Sequence, residues 1–507
     1  MEVIVAGLGM LFQLEVLVPM LLASIFGLAV GAIPGLTASM AVSMLVPMTF
    51  FMSPLVAISS IVAVSAMAIA AGDIPAALIK IPGTPASAAY VEDSYRMTLK
   101  GQAGKVLGAS LVTSAIGGVF GTLCLIFFAP VLAEFAINFS AYEFFWLCLL
   151  GLSCALFVSN ASRLKGVLAL LIGLLLALIG LDPVAGQARF TFGTVEMMGG
   201  LGLVPVLVGM FAVPELMRFA IKPVPRLVDK VTSNTGSIFR GLFKALWPYK
   251  AGIMQGNLMG TVIGALPGAG ADVAAYVSYA VSKKFSKTPE LYGTGHLEGV
   301  ASAAAANNAA IGGSWIPAMV FGIPGDSLSA IVIGVLLMKG ITPGPTIFTK
   351  QPDLTTAIFL SFILANIMLV PLGWLAIKFS KRLITMHRGV VMPLILVFCM
   401  IGAFAISNSV FSIVVMLVAG LLGYFMEENG IPTSPAILAF VLCPMVEANF
   451  LNGMLIARGD FSHFFSRPIA ATLGTLVCVM WSLPVLMGIY RKYGIRSAKR
   501  CGNHTSC

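Results

Sequence analysis

The chain has 507 residues, of which 59% are hydrophobic and only 10% are charged. A water-soluble protein of this length would have to expose large apolar patches, so the composition excludes the soluble class. The net charge of +10 does not indicate a nucleic-acid partner, because the basic residues collect in short loops between apolar segments. We expect an all-α polytopic membrane protein with about 12–14 membrane segments, in contact with membrane lipid and without a nucleic-acid partner.

The ends of the chain and its cysteines give no sign of processing or of a metal site. The stretch Met1–Gln13 has neither a basic region nor a small-residue cleavage site, so we expect no removable signal peptide. The eight cysteines are scattered and lack metal-ligand spacing, and a site at Cys501, His504 and Cys507 is improbable. We therefore predict no bound cofactor and no metal.

Two short motifs occur twice in the same order. Gly31–Ala41 aligns without gaps on Gly264–Ala274, and Ile74–Ala88 aligns on Ile316–Ala330. Each motif contains a Pro-Gly pair, and each pair predicts a break in a helix. In chain order these four breaks are Pro34-Gly35, Pro82-Gly83, Pro267-Gly268 and Pro324-Gly325. Two collinear matches indicate an internal duplication.

The loop charges indicate that the two copies have opposite orientations. In the first copy, the loop after the second break is basic, and in the second copy the segments before and between the breaks are basic. An inverted repeat with discontinuous helices is therefore predicted. We expect a first repeat (1–221), a basic cytoplasmic linker (222–250), a second repeat (251–490) and a cytoplasmic tail (491–507). The N-terminus is expected in the periplasm, although Arg189, Arg458 and Arg467 then lie outside, against the rule.

The breaks predict the substrate site. Backbone groups freed by a break cost several kcal/mol each (roughly) in lipid, unless they are buried in protein or line a wet cavity. A helix that restarts after a break presents its N–H groups and positive dipole end to that cavity, which favours an anion. No arginine lies near the breaks, so we expect backbone amides and hydroxyls to bind the anion. The candidate residues are Pro34, Gly35, Thr37, Ser39, Gly83, Thr84, Ser87, Pro267, Gly268, Gly270, Asn307, Asn308, Gly325 and Ser327.

Packing explains most of the small-residue run that contains the two asparagines, Ala301–Gly313, because such residues let helices approach closely. Carboxylates in apolar segments are functional candidates by default. Asp272 and Asp326 follow the third and fourth breaks, and we predict that they couple transport to a cation, Na⁺ or H⁺. The alternative role is that of a helix N-cap, which we expect for Asp73.

At these motifs the sequence resembles the large integral-membrane subunit of the tripartite tricarboxylate transporter family. The similarity extends over nearly the whole chain, excepting roughly the last dozen residues. The residues that carry it are Gly27, Gly31, Pro34 and Gly35, Ile81–Gly83, Gly264–Asp272, Glu298–Asn308, Gly313–Gly325, Gly459, Asp460 and Arg467–Ile469.

The resemblance implies a multi-pass transporter subunit of the bacterial inner membrane that imports organic carboxylates, with citrate as a first guess. It implies a small four-helix membrane subunit and a periplasmic solute-binding protein as partners. It also implies uptake driven by an ion gradient, with sodium as the expected ion. The sequence agrees that ATP is not used, since it has no Gly-x-x-x-x-Gly-Lys-Ser/Thr loop.

Two other functions remain open. A channel or exporter that needs no ion gradient would also carry organic anions, although broken helices suit alternating access better. Gly72-Asp73 and Gly325-Asp326 suggest an intramembrane aspartyl protease, in which two aspartates share a proton. The first glycine of a Gly-x-Gly-Asp signature is missing at both places, where Ala70 and Ile323 stand instead. No enzymatic activity is therefore expected.

Overall fold

The structure is a computed structural model that describes residues 2–34, 36–158, 162–182, 186–221, 238–380 and 388–482. Gly35 lies outside the described residues, and so do most of the predicted linker and the whole predicted tail. Within the described part the chain is mainly helical, as the composition predicts. The exception is one short β-hairpin, in which two strands of two residues each, Gly180–Leu181 and Ala188–Arg189, pair antiparallel.

The first half contains eleven α-helices in the described residues, and the first two motifs interrupt it. Helix α2 ends at Gly31 and α3 begins at Ala38, while α5 ends at Ile79 and is followed by a short 3-10 turn at Ala86–Ala89. The helices are α1 (Glu2–Leu11), α2 (Leu14–Gly31), α3 (Ala38–Thr49), α4 (Pro54–Ala71), α5 (Asp73–Ile79), α6 (Val91–Leu99), α7 (Ala103–Ala136), α8 (Ala141–Val158), α9 (Arg163–Ala177), α10 (Val195–Met198) and α11 (Leu203–Ile221).

The second half repeats the order of helix, interruption and helix. Helix α13 ends at Gly264 and α14 begins at Gly270, while α15 ends at Phe321 and α16 begins at Ser327. The helices are α12 (Leu242–Leu246), α13 (Lys250–Gly264), α14 (Gly270–Phe285), α15 (Leu297–Phe321), α16 (Ser327–Met338), α17 (Ile347–Lys350), α18 (Pro352–Lys378), α19 (Arg388–Ser407), α20 (Val410–Glu428), α21 (Thr433–Ile456) and α22 (Pro468–Ser482).

The helices identify a multi-pass membrane protein. Seven are long and apolar enough to cross a bilayer, and seven shorter apolar helices of 10–17 residues accompany them in the described residues. In the segment from Pro54 to Ile79, all residues of the apolar 18-residue window are buried inside the protein, whereas in the other long helices about half of the residues or fewer are buried. A helix that is apolar on every side must either be buried or face lipid, and both cases occur here.

Glycines bring the helices around the first and third breaks into contact with matching partners. A Cβ built on Gly31 would lie 2.3 Å from the carbonyl oxygen of Ala68, and one on Gly264 would lie 2.4 Å from that of Ala310. One turn earlier, Gly27 and Gly260 meet α4 and α15 in the same way. The two halves therefore use the same helix contacts at aligned positions of their sequences.

The second and fourth breaks also share their local geometry. Lys80 and Gly322, which align in the two motifs, both end a helix in the left-handed conformation, with φ of 59° and 69°. Beyond them, Gly83 lies against the backbones of Gly31 and Gly72, while Gly325 lies against Gly264 and Ser314. In each half, the glycine of the later break therefore packs against the end of the helix that leads into the earlier break.

The small-residue run Ala301–Gly313 lies in α15 and packs closely against α7. A Cβ on Gly117 would lie 2.0 Å from the carbonyl oxygen of Ala305, and one on Gly312 would lie 2.3 Å from the backbone of Gly121. The packing interpretation of this run is confirmed.

A buried carboxylate joins α6 of the first half to the second half. Asp93 accepts hydrogen bonds from the N–H groups of Gly293 (2.9 Å), Gly295 (2.7 Å) and His296 (3.0 Å) and from the Tyr279 hydroxyl (2.6 Å). Its side chain is completely buried. Four donors compensate the cost of burying this charge, so Asp93 fixes the loop before α15 against the first half.

A lysine makes a second connection between the halves. The Lys339 ammonium, just after α16, donates to the carbonyl oxygens of Phe50 (2.8 Å) and Met52 (2.7 Å), just after α3. Free carbonyls at a helix C-terminus favour a cation. The two helices that begin at the first and fourth breaks are therefore also joined at their far ends.

The contact at Gly264 gives a test of this arrangement. We expect Gly264→Ala to lower the free energy of unfolding by about 1–3 kcal/mol, because the added methyl group overlaps the backbone of Ala310. The thermal unfolding midpoint of the detergent-purified protein measures this loss. Gly9→Ala is the matched control, since nothing lies within 4 Å of a Cβ there. Equal midpoints for the two variants would contradict the close contact.

Candidate functional site

The four breaks surround one cavity of about 290 Å³, which we call the central cavity. Every break contributes to its wall. The first half supplies the start of α3 and the residues after the second break, and the second half supplies the starts of α14 and α16. Residues from the breaks that line it are Thr37, Ala38, Ser39, Met40, Thr84, Pro85, Gly268, Ala269, Gly270, Ala271, Asp272, Asp326, Ser327 and Leu328.

Hydroxyl groups on the first-half side of the cavity are held in place by local hydrogen bonds. Thr37 is the N-cap of α3, and its Oγ1 accepts from the N–H of Met40 at 3.3 Å and lies 2.9 Å from the Ser39 hydroxyl. Thr84 and Ser87 bond each other's backbone N–H groups at 3.3 Å. Ser87 is completely buried and supports Thr84 from behind, whereas Thr37, Ser39 and Thr84 line the cavity.

On the second-half side, the third and fourth breaks are bonded to each other. Gly268 and Gly270 adopt positive φ angles of 83° and 62°, which side chains rarely adopt. The Gly268 N–H donates to the carbonyl oxygen of Gly325 at 2.8 Å. A Cβ on Gly270 would lie 2.8 Å from the Cβ of Asp326. The glycines therefore let the two backbones approach so that both helix starts face the cavity.

Asp272 connects the two halves at the cavity wall. It lies in the first turn of α14, and its carboxylate accepts from the N–H of Ala86, which follows the second break, at 3.1 Å. Its side chain is exposed, and the space it faces is the central cavity. A carboxylate in this position stabilises the N-terminus of α14 and still has lone pairs for a ligand.

Asp326 caps α16. Its Oδ1 accepts from the N–H of Ser329 at 2.8 Å, and the Ser329 hydroxyl donates back to the same carboxylate and bonds the Asp326 N–H at 2.9 Å. This is a capping box. The cap interpretation is confirmed for Asp326, and the same residue also lines the cavity. A coupling role for it stays a prediction.

The expected cap at Asp73 is wrong. The N-cap of α5 is Gly72, and no side chain caps that helix. The Asp73 carboxylate instead accepts from the Tyr90 hydroxyl at 2.5 Å and from the hydroxyl of Ser110 on α7. Asp73 is buried and does not line the central cavity. Tertiary contacts with two later segments hold this carboxylate, which the local sequence around Ile74-Pro75 does not show.

Asn307 and Asn308 occupy different environments on α15. Both are buried, and none of their side-chain N and O atoms has a hydrogen-bond partner. Asn307 lines the central cavity, so its amide is available to a bound molecule. Asn308 is completely enclosed and does not reach the cavity. Buried polar groups normally find partners, and the Asn307 amide, which lies near the Tyr90 hydroxyl, can also bond a molecule in the cavity.

Several predicted site residues support the cavity without lining it. Gly83 and Gly325 provide the backbone contacts described above, and Ser87 and Asn308 are buried behind the wall. Two prolines, Pro34 and Pro267, shape the breaks. Gly35 lies outside the described residues, so its predicted role is not located.

The expectation that no arginine lies near the breaks is wrong. Arg218, in the last turn of α11, lines the central cavity. Its guanidinium bonds Glu215 at 2.7 Å and pairs with Glu427 and Glu428 at the end of α20. Arg218 appeared in the sequence as one of a run of loop cations. Only the contact of α11 with α20, through residues such as Gly209 and Gly420, brings it to the cavity.

The fold and the cavity define a multi-pass membrane protein with an internal cavity: helices long enough to cross a bilayer pack around a cavity lined by charged, hydroxyl and apolar side chains. Comparison with known sequences gives the family. The model of the tripartite tricarboxylate transporter TctA family matches residues 17–438. The chain belongs to this family, whose members are transporter subunits.

Two relatives from Agrobacterium vitis are similar to the chain. One, described as an uncharacterized 52.8 kDa protein in the TAR-I ttuC' 3' region, is 36% identical over 462 residues, which cover 90% of this chain and 91% of the relative. The other, an uncharacterized protein in the TAR-II ttuC' 3' region, is 39% identical over 216 residues, covering 42% of this chain and 89% of the relative. No solved structure matches.

The capping box at Asp326 predicts how two substitutions should differ. Asp326→Asn should leave the unfolding midpoint nearly unchanged, because asparagine caps helices as well as aspartate does. Asp326→Ala should lower the free energy of unfolding by about 0.5–2 kcal/mol, because the N–H of Ser329 loses its acceptor. Thermal unfolding of both detergent-purified variants tests this. Equal losses would show that the charge, and not the cap, stabilises this end of α16.

Proposed function

We propose that the chain is the large membrane subunit of a secondary active, cation-coupled importer of organic carboxylates, such as citrate or a dicarboxylate. It works in the bacterial inner membrane with a small four-helix membrane subunit and a periplasmic solute-binding protein. The family supports a transporter with further subunits. The direction of transport, the coupling ion and the identity of these partners are part of the proposal.

The observation that carries the proposal is the convergence of three helix N-termini on one cavity. The first turns of α3, α14 and α16 all line it. Each first turn carries N–H groups without an intrahelical partner and a partial positive charge, which together suit a carboxylate. The hydroxyls of Ser39, Thr84 and Ser327 add donors without adding charge. A volume of about 290 Å³ is at the lower end of the range for ligand sites and suits a small molecule.

An inverted repeat explains why the breaks occur in matching pairs. The contacts of Gly31 with Ala68 and of Gly264 with Ala310 are equivalent, and Lys80 and Gly322 end their helices alike. The opposite loop charges of the two halves support opposite orientations in the membrane. Two halves of this kind enclose a site at mid-membrane and alternate access to it by moving against each other.

A coupling cation would balance the excess of negative charge in the central cavity. Four carboxylates line it, Glu215, Asp272, Asp326 and Glu427, against the single guanidinium of Arg218. An anionic substrate would be repelled by this excess unless a cation entered with it. Asp272 and Asp326 lie next to the helix N-termini, so we assign the cation to them. An ion-independent channel has no comparable need for carboxylates beside an anion site.

A flux measurement tests the proposal. Vesicles that contain this chain with its small membrane subunit and the solute-binding protein should accumulate radiolabelled citrate, malate or succinate when sodium is higher outside. Collapse of the sodium gradient should abolish accumulation. Flux of the same size with and without the gradient would favour the channel or exporter and contradict secondary transport.

In the same vesicles, Asp272→Asn should remove sodium-dependent accumulation and leave the amount of protein in the membrane unchanged. The asparagine oxygen can still accept from the N–H of Ala86, so this variant removes charge and keeps the contact between the halves. Asp353→Asn is the control, because Asp353 is an exposed carboxylate in the first turn of α18, away from the cavity. Normal sodium dependence in Asp272→Asn would contradict the assignment.

A further inference from the structure

A second cavity, of about 800 Å³, lies beyond the fourth break. The hairpin segment after α9, the second half of α16 and the middle of α21 form its wall, together with Gly322 at the end of α15. None of the site candidates that lie in the described residues lines it. Most of the wall is apolar, and its polar members in the described residues are Arg189, Thr342, Glu447 and Asn449.

The second cavity follows the central cavity along two helices, α16 and α21, which line both. In α16, Leu328 and Ala330 face the central cavity, while Ile333 and Leu337, further along, face the second cavity. In α21, Ser434 to Leu438 border the central cavity, and Phe440 to Asn449 border the second cavity. Both helices run from the central cavity towards the second one, so the two cavities lie in line.

An apolar cluster lies between residues that line the two cavities. Ile323, inside the fourth break, is 2% exposed and packs in one cluster with Leu438 and Leu442 of α21. Leu438 borders the central cavity, and Met445, which packs against the same cluster, borders the second cavity. A cluster of aliphatic side chains opposes the passage of a charged molecule until the break moves.

In the described residues one arginine lines each cavity, and a glutamate from another segment pairs with it. In the central cavity Arg218 pairs with Glu427, and in the second cavity Arg189 pairs with Glu447 at 2.7 Å and with Asp182 at 3.5 Å. The two glutamates lie just before α21 and within it. The Arg189 Nε–H is buried and has no hydrogen-bond partner, so this guanidinium has donor capacity that its two carboxylates do not use.

We propose that the two cavities are successive stations of one carboxylate path, with Arg189 and Arg218 as the anion-binding groups at its two ends. This inference rests on the proposed function and deepens it. The second cavity then receives the substrate on one side of the apolar cluster, and the central cavity holds it on the other. In the topology predicted from the other loop charges, the Arg189 hairpin lies outside, against the rule, and the end of α11 lies inside, which orders the stations for uptake.

Exchange of one carboxylate for another makes this path passable. Without substrate, Glu447 and Glu427 neutralise the arginines, and an incoming carboxylate takes the place of the glutamate at the guanidinium fork. Because one carboxylate replaces another, the arginine stays compensated in both states, and the displaced glutamate, which is partly exposed, is compensated by water in the cavity or by the coupling cation. The glutamates therefore compete with the substrate. Their removal should strengthen binding, which is opposite to the result expected for a merely structural ion pair.

Thiol labelling can test both stations separately. In a background with the eight cysteines replaced by alanine, Thr342→Cys reports on the second cavity and Ser434→Cys on the central one, since both residues line their cavities and are exposed. The label is a charged, membrane-impermeant methanethiosulfonate. The probes are citrate, malate and succinate, and the quantity measured is the concentration that halves the labelling rate.

We expect carboxylate to protect both reporters. Arg189→Gln should raise the half-protecting concentration at Thr342→Cys at least tenfold, and Glu447→Gln should lower it several-fold. At Ser434→Cys, Arg218→Gln should likewise raise the half-protecting concentration at least tenfold, and Glu427→Gln should lower it several-fold. Arg96→Gln is the control, because Arg96 is an exposed partner of Glu92 outside both cavities and should shift neither value.

Three outcomes would overturn the inference. If Thr342→Cys resists the charged reagent and reacts only with a lipid-soluble maleimide, the second cavity is a lipid-filled groove. If carboxylates protect Ser434→Cys and do not protect Thr342→Cys, only the central cavity binds them and the second cavity is not part of the path. If the glutamate variants weaken protection as the arginine variants do, the ion pairs are structural. Absence of wild-type uptake for every carboxylate would instead contradict the proposed function itself.

Discussion

A helix that ends inside a packed, apolar protein leaves backbone N–H and C=O groups that need partners, and the rest of this structure depends on how the chain meets that constraint. It meets it by placing the breaks against each other and against neighbouring helices. Gly83 and Gly325 lie on the ends of α2 and α13, and the Gly268 N–H bonds the Gly325 carbonyl. Any side chain at these glycines would separate the backbones. The cavity is thus the space that four mutually supported breaks enclose.

The same constraint produces the chemistry of the site. Helices that restart at the cavity present N–H groups to it, and hydroxyls and carboxylates in their first turns stabilise those ends. Asp326 caps α16, and Asp272 accepts from the first half. A carboxylate that stabilises a helix start can also hold a cation beside an anion. Under the proposed function these aspartates have a structural and a coupling role, so stability and transport must be measured on the same variants to separate the two.

Much of the fold and part of the site can be predicted from local sequence. Pro-Gly pairs with small and hydroxyl neighbours mark where helices break, so residues such as Ser39, Thr84 and Gly268 line the cavity as predicted. Contacts between distant segments are not visible in this way. Arg218 reaches the cavity through the contact between α11 and α20, and Asp73 is held by Tyr90 and Ser110. Ser87 and Asn308 show the opposite case, since their sequence positions suggest a site and their side chains are buried behind it.

The measurement that tests the central claim most directly is an experimental structure of the protein with a transported carboxylate bound. The account predicts that the carboxylate lies in the central cavity, within hydrogen-bond distance of the first-turn N–H groups of α3, α14 and α16 and of the Ser39 or Thr84 hydroxyl. A carboxylate bound in another part of the protein, with the central cavity closed around its own side chains, would contradict it.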